Sequence, residues 1–271
     1  MKSFNVFELV RVLAFAGLGL LTSYASAEAL QTKQLKEVPG KVLYAGNSFF
    51  YYNNSMHGHI REMVIEGMKG HKYNGVSVTI SGSGLDWHDM ASYFRPDGIG
   101  RYSFTAKNEV VFNPPTGKVF DVAVMMDCSQ CPIHDQLKVT FAEYAKKHVE
   151  TVRKNNAEPV FFMSWAYQDK PEMTQQLADA YTKMGNTHKA MVIPAGLAFA
   201  KSIALKPEIN LYASDKRHPS LAGTYLAGLV TYGALFKVSP VGLKYNAGLP
   251  PEVAQHLQNV AQDTLKTYLG R

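Results

Sequence analysis

The 271-residue chain is 46% hydrophobic and 18% charged, which supplies ample material for a core and leaves no case for bulk disorder. Its formal net charge of +6 is spread out. The longest basic doublets, such as Lys146-Lys147, sit among apolar and acidic residues, so no nucleic-acid partner is expected. Two cysteines cannot build a disulfide framework, and the composition excludes a collagen, a coiled coil and a polytopic membrane protein.

The first 27 residues read as a signal peptide. Lys2 and Arg11 flank a basic start diluted by Glu8, the apolar stretch Val12 to Leu21 follows, and Ala25-Ser26-Ala27 is small where a signal peptidase reads. The apolar run is short for a membrane span of ~20 residues. The expected product is an exported chain, periplasmic or secreted, starting at Glu28, with no stable membrane insertion after cleavage. Residues 28–271 are expected to form a single α/β domain. No feature of the sequence specifies an oligomer.

Two periodicities alternate along the rest. Short apolar, β-branched runs predict strands at Lys41–Ala45, Val76–Ser81, Val119–Met126, Pro159–Ser164 and Ala190–Pro194. Helical patterns fall at His57–Lys69, Lys138–Lys154, Gln175–Lys189, Leu221–Leu235 and Glu252–Leu269. Val122-Ala123-Val124-Met125-Met126 and Val160-Phe161-Phe162-Met163 are continuously apolar, as strands buried on both faces are. The fold class is therefore a three-layer α/β/α sandwich around a mostly parallel five-stranded sheet. The polar, glycine-bearing stretch Arg95–Thr116 reads as an insertion or small hairpin beside the active face.

Ser48 ends the run Lys41-Val42-Leu43-Tyr44-Ala45-Gly46-Asn47, which places it at the carboxyl edge of a strand, where open α/β sheets bind ligands. A serine there also caps helices well. Near the other end stands Asp215-Lys216-Arg217-His218-Pro219, ahead of a helical run. A serine hydroxyl needs a base within hydrogen-bond reach to become a nucleophile. His218 is suited to that role, and Asp215 to orienting its ring. A solvated surface loop is the plainer account of the same five residues.

Together, Gly46-Asn47-Ser48 and Asp215-x-x-His218-Pro219 resemble the SGNH hydrolases, the GDSL-like esterase and lipase superfamily, over roughly Lys41 to Leu235. Asn47 stands where that family usually has aspartate. The resemblance implies a flavodoxin-like sheet, with Ser48 as nucleophile, His218 as base and Asp215 as third member of a triad. It also implies an oxyanion hole from Ser48 and a glycine after the second strand: Gly82, with Gly84 the alternative. The family's asparagine after the third strand is missing here. Ser129 is nearest its position, and Gln130 carries the closest side-chain chemistry. The implied activity is hydrolysis of a carboxylic ester (carbohydrate acetyl ester, lipid or small acyl ester) with no cofactor and no metal. The rival is a catalytically inactive module of this fold that binds cell-envelope carbohydrate, supported only by the missing asparagine.

Three other features carry weaker readings. Cys128-Ser129-Gln130-Cys131 suits a short structural disulfide in an oxidising compartment better than a redox pair, because Pro132 follows at once and the pair lies deep in the chain. His57 and His59 are two apart, a poor spacing for a shared metal on a helix. Phe49-Phe50-Tyr51-Tyr52 suits either core packing or an aromatic wall beside Ser48.

Overall fold

The structure is a computed structural model describing residues 28–98 and 102–271; the leader read in residues 1–27 lies outside them. The strands are β1 (Lys41–Gly46), β2 (Asn74–Thr79), β3 (Tyr102–Phe104), β4 (Val110–Phe112), β5 (Val122–Met125), β6 (Glu158–Phe162) and β7 (Met191–Ile193). Five of them form one sheet in the order β2-β1-β5-β6-β7, every pair parallel. The helices are α1 (Ser48–Tyr51), α2 (Met56–Gly67), α3 (Met90–Tyr93), α4 (Leu137–Lys154), α5 (Met173–His188), α6 (Ala195–Leu205), α7 (Leu221–Phe236) and α8 (Pro251–Leu269). This is the α/β/α sandwich that the apolar runs predict.

The topology follows from handedness. The step from β1 to β2 runs one way along the sheet, and those from β5 to β6 and β6 to β7 run the other. Right-handed crossovers therefore put α2 on one face and α4 and α5 on the opposite one. The direction reverses between β1 and β5, which makes that pair the switch point where such sheets open a crevice. Ser48 follows β1 directly.

Burial explains the sequence patterns. Val124, Val160, Phe161 and Phe162 are fully buried, so their strands have no polar face to show. In α7, every residue from Ala222 to Phe236 is buried, because the helix is enclosed by α2, α6, α8 and the sheet edge; a helix apolar all round has nowhere else to be. Its start is capped by Ser220, whose hydroxyl accepts from Gly223 N at 3.2 Å.

Strand ends differ slightly from expectation. β2 begins at Asn74, paired with Lys41, and stops at Thr79 opposite Gly46, so Ile80 and Ser81 run past its neighbour. The expected hairpin exists as β3–β4. Its return, however, reaches the amino edge of the sheet, where the Lys41 ammonium donates to the carbonyls of Thr116 and Lys118. That end lies opposite the edge carrying Ser48.

Candidate active site

Asn47 and Ser48 divide two jobs. Asn47 is extended and caps α1, its Oδ1 accepting from Phe49 N at 3.2 Å. Ser48 is then the first helical residue, 6% exposed, with its hydroxyl free for another partner. That partner is His218 Nε2, at 2.8 Å. On the other side of the imidazole, Nδ1 donates to Asp215 Oδ2. Asp215 Oδ1 in turn accepts the backbone N–H groups of Arg217 and His218, both at 3.0 Å. The hydrogen bond from the His218 ring, helped by those two N–H groups, holds the Asp215 carboxyl at about 2. Three residues separated by as many as 170 positions thus form one hydrogen-bonded line.

The His218 loop is pinned from behind. Trp165 Nε1 donates to Arg217 O at 3.0 Å, Gln168 N donates to Lys216 O at 2.9 Å, and Ala213 N donates to His218 O at 2.8 Å. Trp165 itself is fully buried in a stack, with Phe49 at 4.5 Å on one side and Phe199 at 4.2 Å on the other. Phe49, next to the serine, therefore belongs to the core. So does Phe50, whereas Tyr51 is exposed.

The neighbouring turns are joined through polar side chains, Asn47 of the serine motif among them. Asn47 Nδ2 donates to Ser83 O at 2.9 Å and Asp127 O at 3.2 Å, linking the segments after β1, β2 and β5. An aspartate at this position would face both carbonyls with an acceptor. Asp127 is 2% exposed; its Oδ1 accepts from Leu85 N and Cys128 N, each at 2.8 Å. Among the described residues its Oδ2 meets no partner, and a cavity of about 20 Å³ lies beside it. Burial pushes this carboxyl up to about 6. His88 is buried below the same turns between Gly46 O, Ser83 Oγ and Tyr93 OH, and desolvation lowers it to about 4.

The oxyanion candidates separate by environment. Gly82 follows β2 with φ +72°, and nothing stands within 4 Å of where a side chain would be. Gly84 is enclosed: a Cβ there would meet Asp86 and Asp127 oxygens at 2.6 and 2.7 Å. Ser129 Oγ is hydrogen-bonded to Tyr167 OH at 2.7 Å. Gln130 is exposed and borders a surface cleft with His134, Asp135 and Lys170. Cys128 and Cys131 are joined by a disulfide. His57 and His59 share no metal-ligand cluster among the described residues; His59 bonds Tyr245 OH and Asn53 O instead.

The sequence matches no protein-family model and no curated protein. Solved structures do match. A DUF4886 family protein from Bacteroides uniformis superposes with a TM-score of 0.57 at 17% identity, covering 82% of this chain and 93% of its own. A protein from Slackia heliotrinireducens assigned to the SGNH hydrolases gives 0.53 at 20% identity over 72% and 97%. An acetyl xylan esterase variant from Geobacillus stearothermophilus gives 0.51 at 14% identity over 74% and 98%. The chain has the fold of the SGNH hydrolases.

Proposed function

We propose that the chain is an exported serine hydrolase that cleaves carboxylic esters. The observation that carries this reading is the line Asp215–His218–Ser48, closed by the 2.8 Å bond from His218 Nε2 to Ser48 Oγ. Ser48 attacks the ester carbonyl as His218 takes its proton, and Asp215 supports the imidazolium. The oxyanion forms against the N–H groups of Ser48 and Gly82, with Ser129 or Gln130 as side-chain donor. His218 then passes the proton to the leaving alcohol, and water frees the acyl group by the same steps in reverse. These steps use only groups of the chain, the ester and water. The ester is a carbohydrate acetyl ester, such as the substrate class named for the acetyl xylan esterase of the same fold, a lipid or a small acyl ester. Export rests on the small residues Ala25-Ser26-Ala27 behind a short apolar run.

An active-serine probe and a panel of chromogenic esters of increasing acyl length test this together. Labelling confined to Ser48, with turnover of at least one ester in the panel, is the expected result, and the acyl length turned over fastest names the substrate class. Folded protein that is neither labelled nor active would leave the inactive binding module as the better account.

A further inference from the structure

The turn that follows the nucleophile helix takes no part in the proton relay, yet it grips the base. Tyr52, the C-cap of α1, lies flat on the His218 imidazole, with ring centroids 4.3 Å apart and planes 5° from parallel. Phe49, one turn earlier, meets the same imidazole edge-on at 5.7 Å. Tyr51 stacks on Tyr52 at 5.7 Å and donates its hydroxyl to Ser81 Oγ at 3.1 Å. An aromatic wall thus runs from the turn beside Gly82 to the base.

The backbone after Tyr52 is unusual. Asn53, Asn54 and Ser55 all have positive φ, at 52°, 65° and 65°, conformations that a residue with a Cβ adopts only at a cost. Side chains hold it there. Asn53 Nδ2 donates to Pro219 O at 3.0 Å and to Thr224 Oγ1 at 2.8 Å. His59 Nε2 donates to Asn53 O at 2.7 Å, and its Nδ1 accepts from Tyr245 OH at 2.6 Å. The strained turn is therefore bolted to the residue after His218 and to α7.

We propose that this turn is a clamp on the base: Tyr52 and Asn53 are positioning residues that keep His218 Nε2 aimed at Ser48. The proposal rests on the hydrolase reading above. Apart from its bond to Ser48, the ring is hydrogen-bonded only through Nδ1 and can pivot about that bond, and the Asp215 side chain that holds it is 42% exposed. A face-on ring on one side and an edge-on ring on another remove the pivot. Small errors in aim cost rate, since proton transfer depends on hydrogen-bond geometry.

The test compares Tyr52→Phe, Tyr52→Leu and Asn53→Gly with the parent. Glycine suits positive φ, so that substitution removes the tie without straining the turn. On one activated ester, Tyr52→Leu should lower kcat roughly tenfold at unchanged KM, Tyr52→Phe should stay within about twofold because it keeps the ring, and Asn53→Gly should lower kcat several-fold. Independently of turnover, the ring protons of His218 should be shifted upfield by Tyr52 in the parent and in Tyr52→Phe, and lose that shift in Tyr52→Leu. Should Tyr52→Leu not fold, the parent's shift and the kcat of Asn53→Gly decide. Parental kcat in Tyr52→Leu or Asn53→Gly overturns the clamp, as does a rise in KM alone or an equal loss in Tyr52→Phe. Absence of the shift in the parent overturns it as well. A parent with the shift but neither turnover nor labelling at Ser48 overturns the hydrolase reading, and the clamp's role with it.

Discussion

Where α1 meets the loop ahead of α7, polar side chains bond to one another: Ser48 to His218, and His218 to Asp215. Where the turns after β2 and β5 meet, side chains hold backbone instead. Asn47 takes the carbonyls of Ser83 and Asp127, and the Asp127 carboxylate takes the N–H groups of Leu85 and Cys128. The first arrangement opens to solvent at Asp215, whose side chain is 42% exposed. The second is buried, and its parts stabilise a shape. Substitution on the first side should therefore remove rate before stability, and on the second, stability before rate.

The largest effect tests the first half of that contrast. Ser48→Ala and His218→Ala should each lower ester hydrolysis ~10⁴-fold or more, and the double substitution should match either single one because nucleophile and base act as a unit. The melting temperature of Ser48→Ala should stay near the parent's. Asp215→Ala should retain measurable turnover, since an imidazole without its orienter is still a base. Asp215 is held at about 2 by its bond to His218, so it stays ionised at any pH suited to an ester assay. What stability this bond supplies is present above about pH 4 and lost as pH falls toward 2. Near-parental activity in Ser48→Ala would show that the contrast has been drawn around the wrong residue.

The same division governs what the sequence reveals. Ser48 stands in a short motif at the end of an apolar run, and Asp215 and His218 in one ahead of a helical run, so the two motifs, taken together through the family they resemble, single them out. The sheet is legible because strands covered on both faces read as unbroken apolar runs. Asp127 is not legible, because its partners Leu85 and Cys128 are backbone groups, one of them 42 positions away. Asn53 reaches Pro219 across 166 positions, a tie that only the fold creates. Helix α6 escapes the periodicity argument because Ala195-Gly196-Leu197-Ala198-Phe199-Ala200 has no polar face to mark a 3.6-residue repeat. The N-terminal strap escapes it too: Leu30 and Leu35 are isolated in a polar stretch, yet both are buried.

A smaller effect probes the buried half through pH. Burial raises the Asp127 carboxyl to about 6, against an ordinary value of about 3.9. Between these limits the native chain keeps a proton that the unfolded chain has lost, so stability falls as pH rises. The penalty is absent below about pH 4 and complete above about pH 6, where it approaches about 3 kcal/mol at most. Asp127→Asn keeps an oxygen for the Leu85 and Cys128 N–H groups and cannot ionise. Urea unfolding of parent and variant from pH 4 to 8 should show the variant gaining on the parent through that window and running parallel to it above. Identical slopes would mean that the carboxyl is already satisfied when ionised.

The smallest effects separate two glycines of one turn. At Gly82 the obstacle to alanine is the backbone: φ is +72° while the space is open, so Gly82→Ala should cost about 1 kcal/mol of strain regardless of its neighbours. At Gly84 the backbone is ordinary, with φ −91°, and the obstacle is contact. A Cβ would lie 2.6 Å from an Asp86 oxygen and 2.7 Å from Asp127 Oδ1. Asp86 can swing outward, but Asp127 is fixed by two N–H donors and must surrender one of them. Overpacking of this kind costs about 1–3 kcal/mol. The two mechanisms respond differently to a second change. Asp127→Ala clears the space beside Gly84, so Gly84→Ala should cost less in that background than in the parent, while the cost of Gly82→Ala should be unaltered. A double-mutant cycle in urea measures both couplings. Strict additivity at Gly84 would mean that the carboxylate moves freely, and that the turns after β2 and β5 are not held together through it.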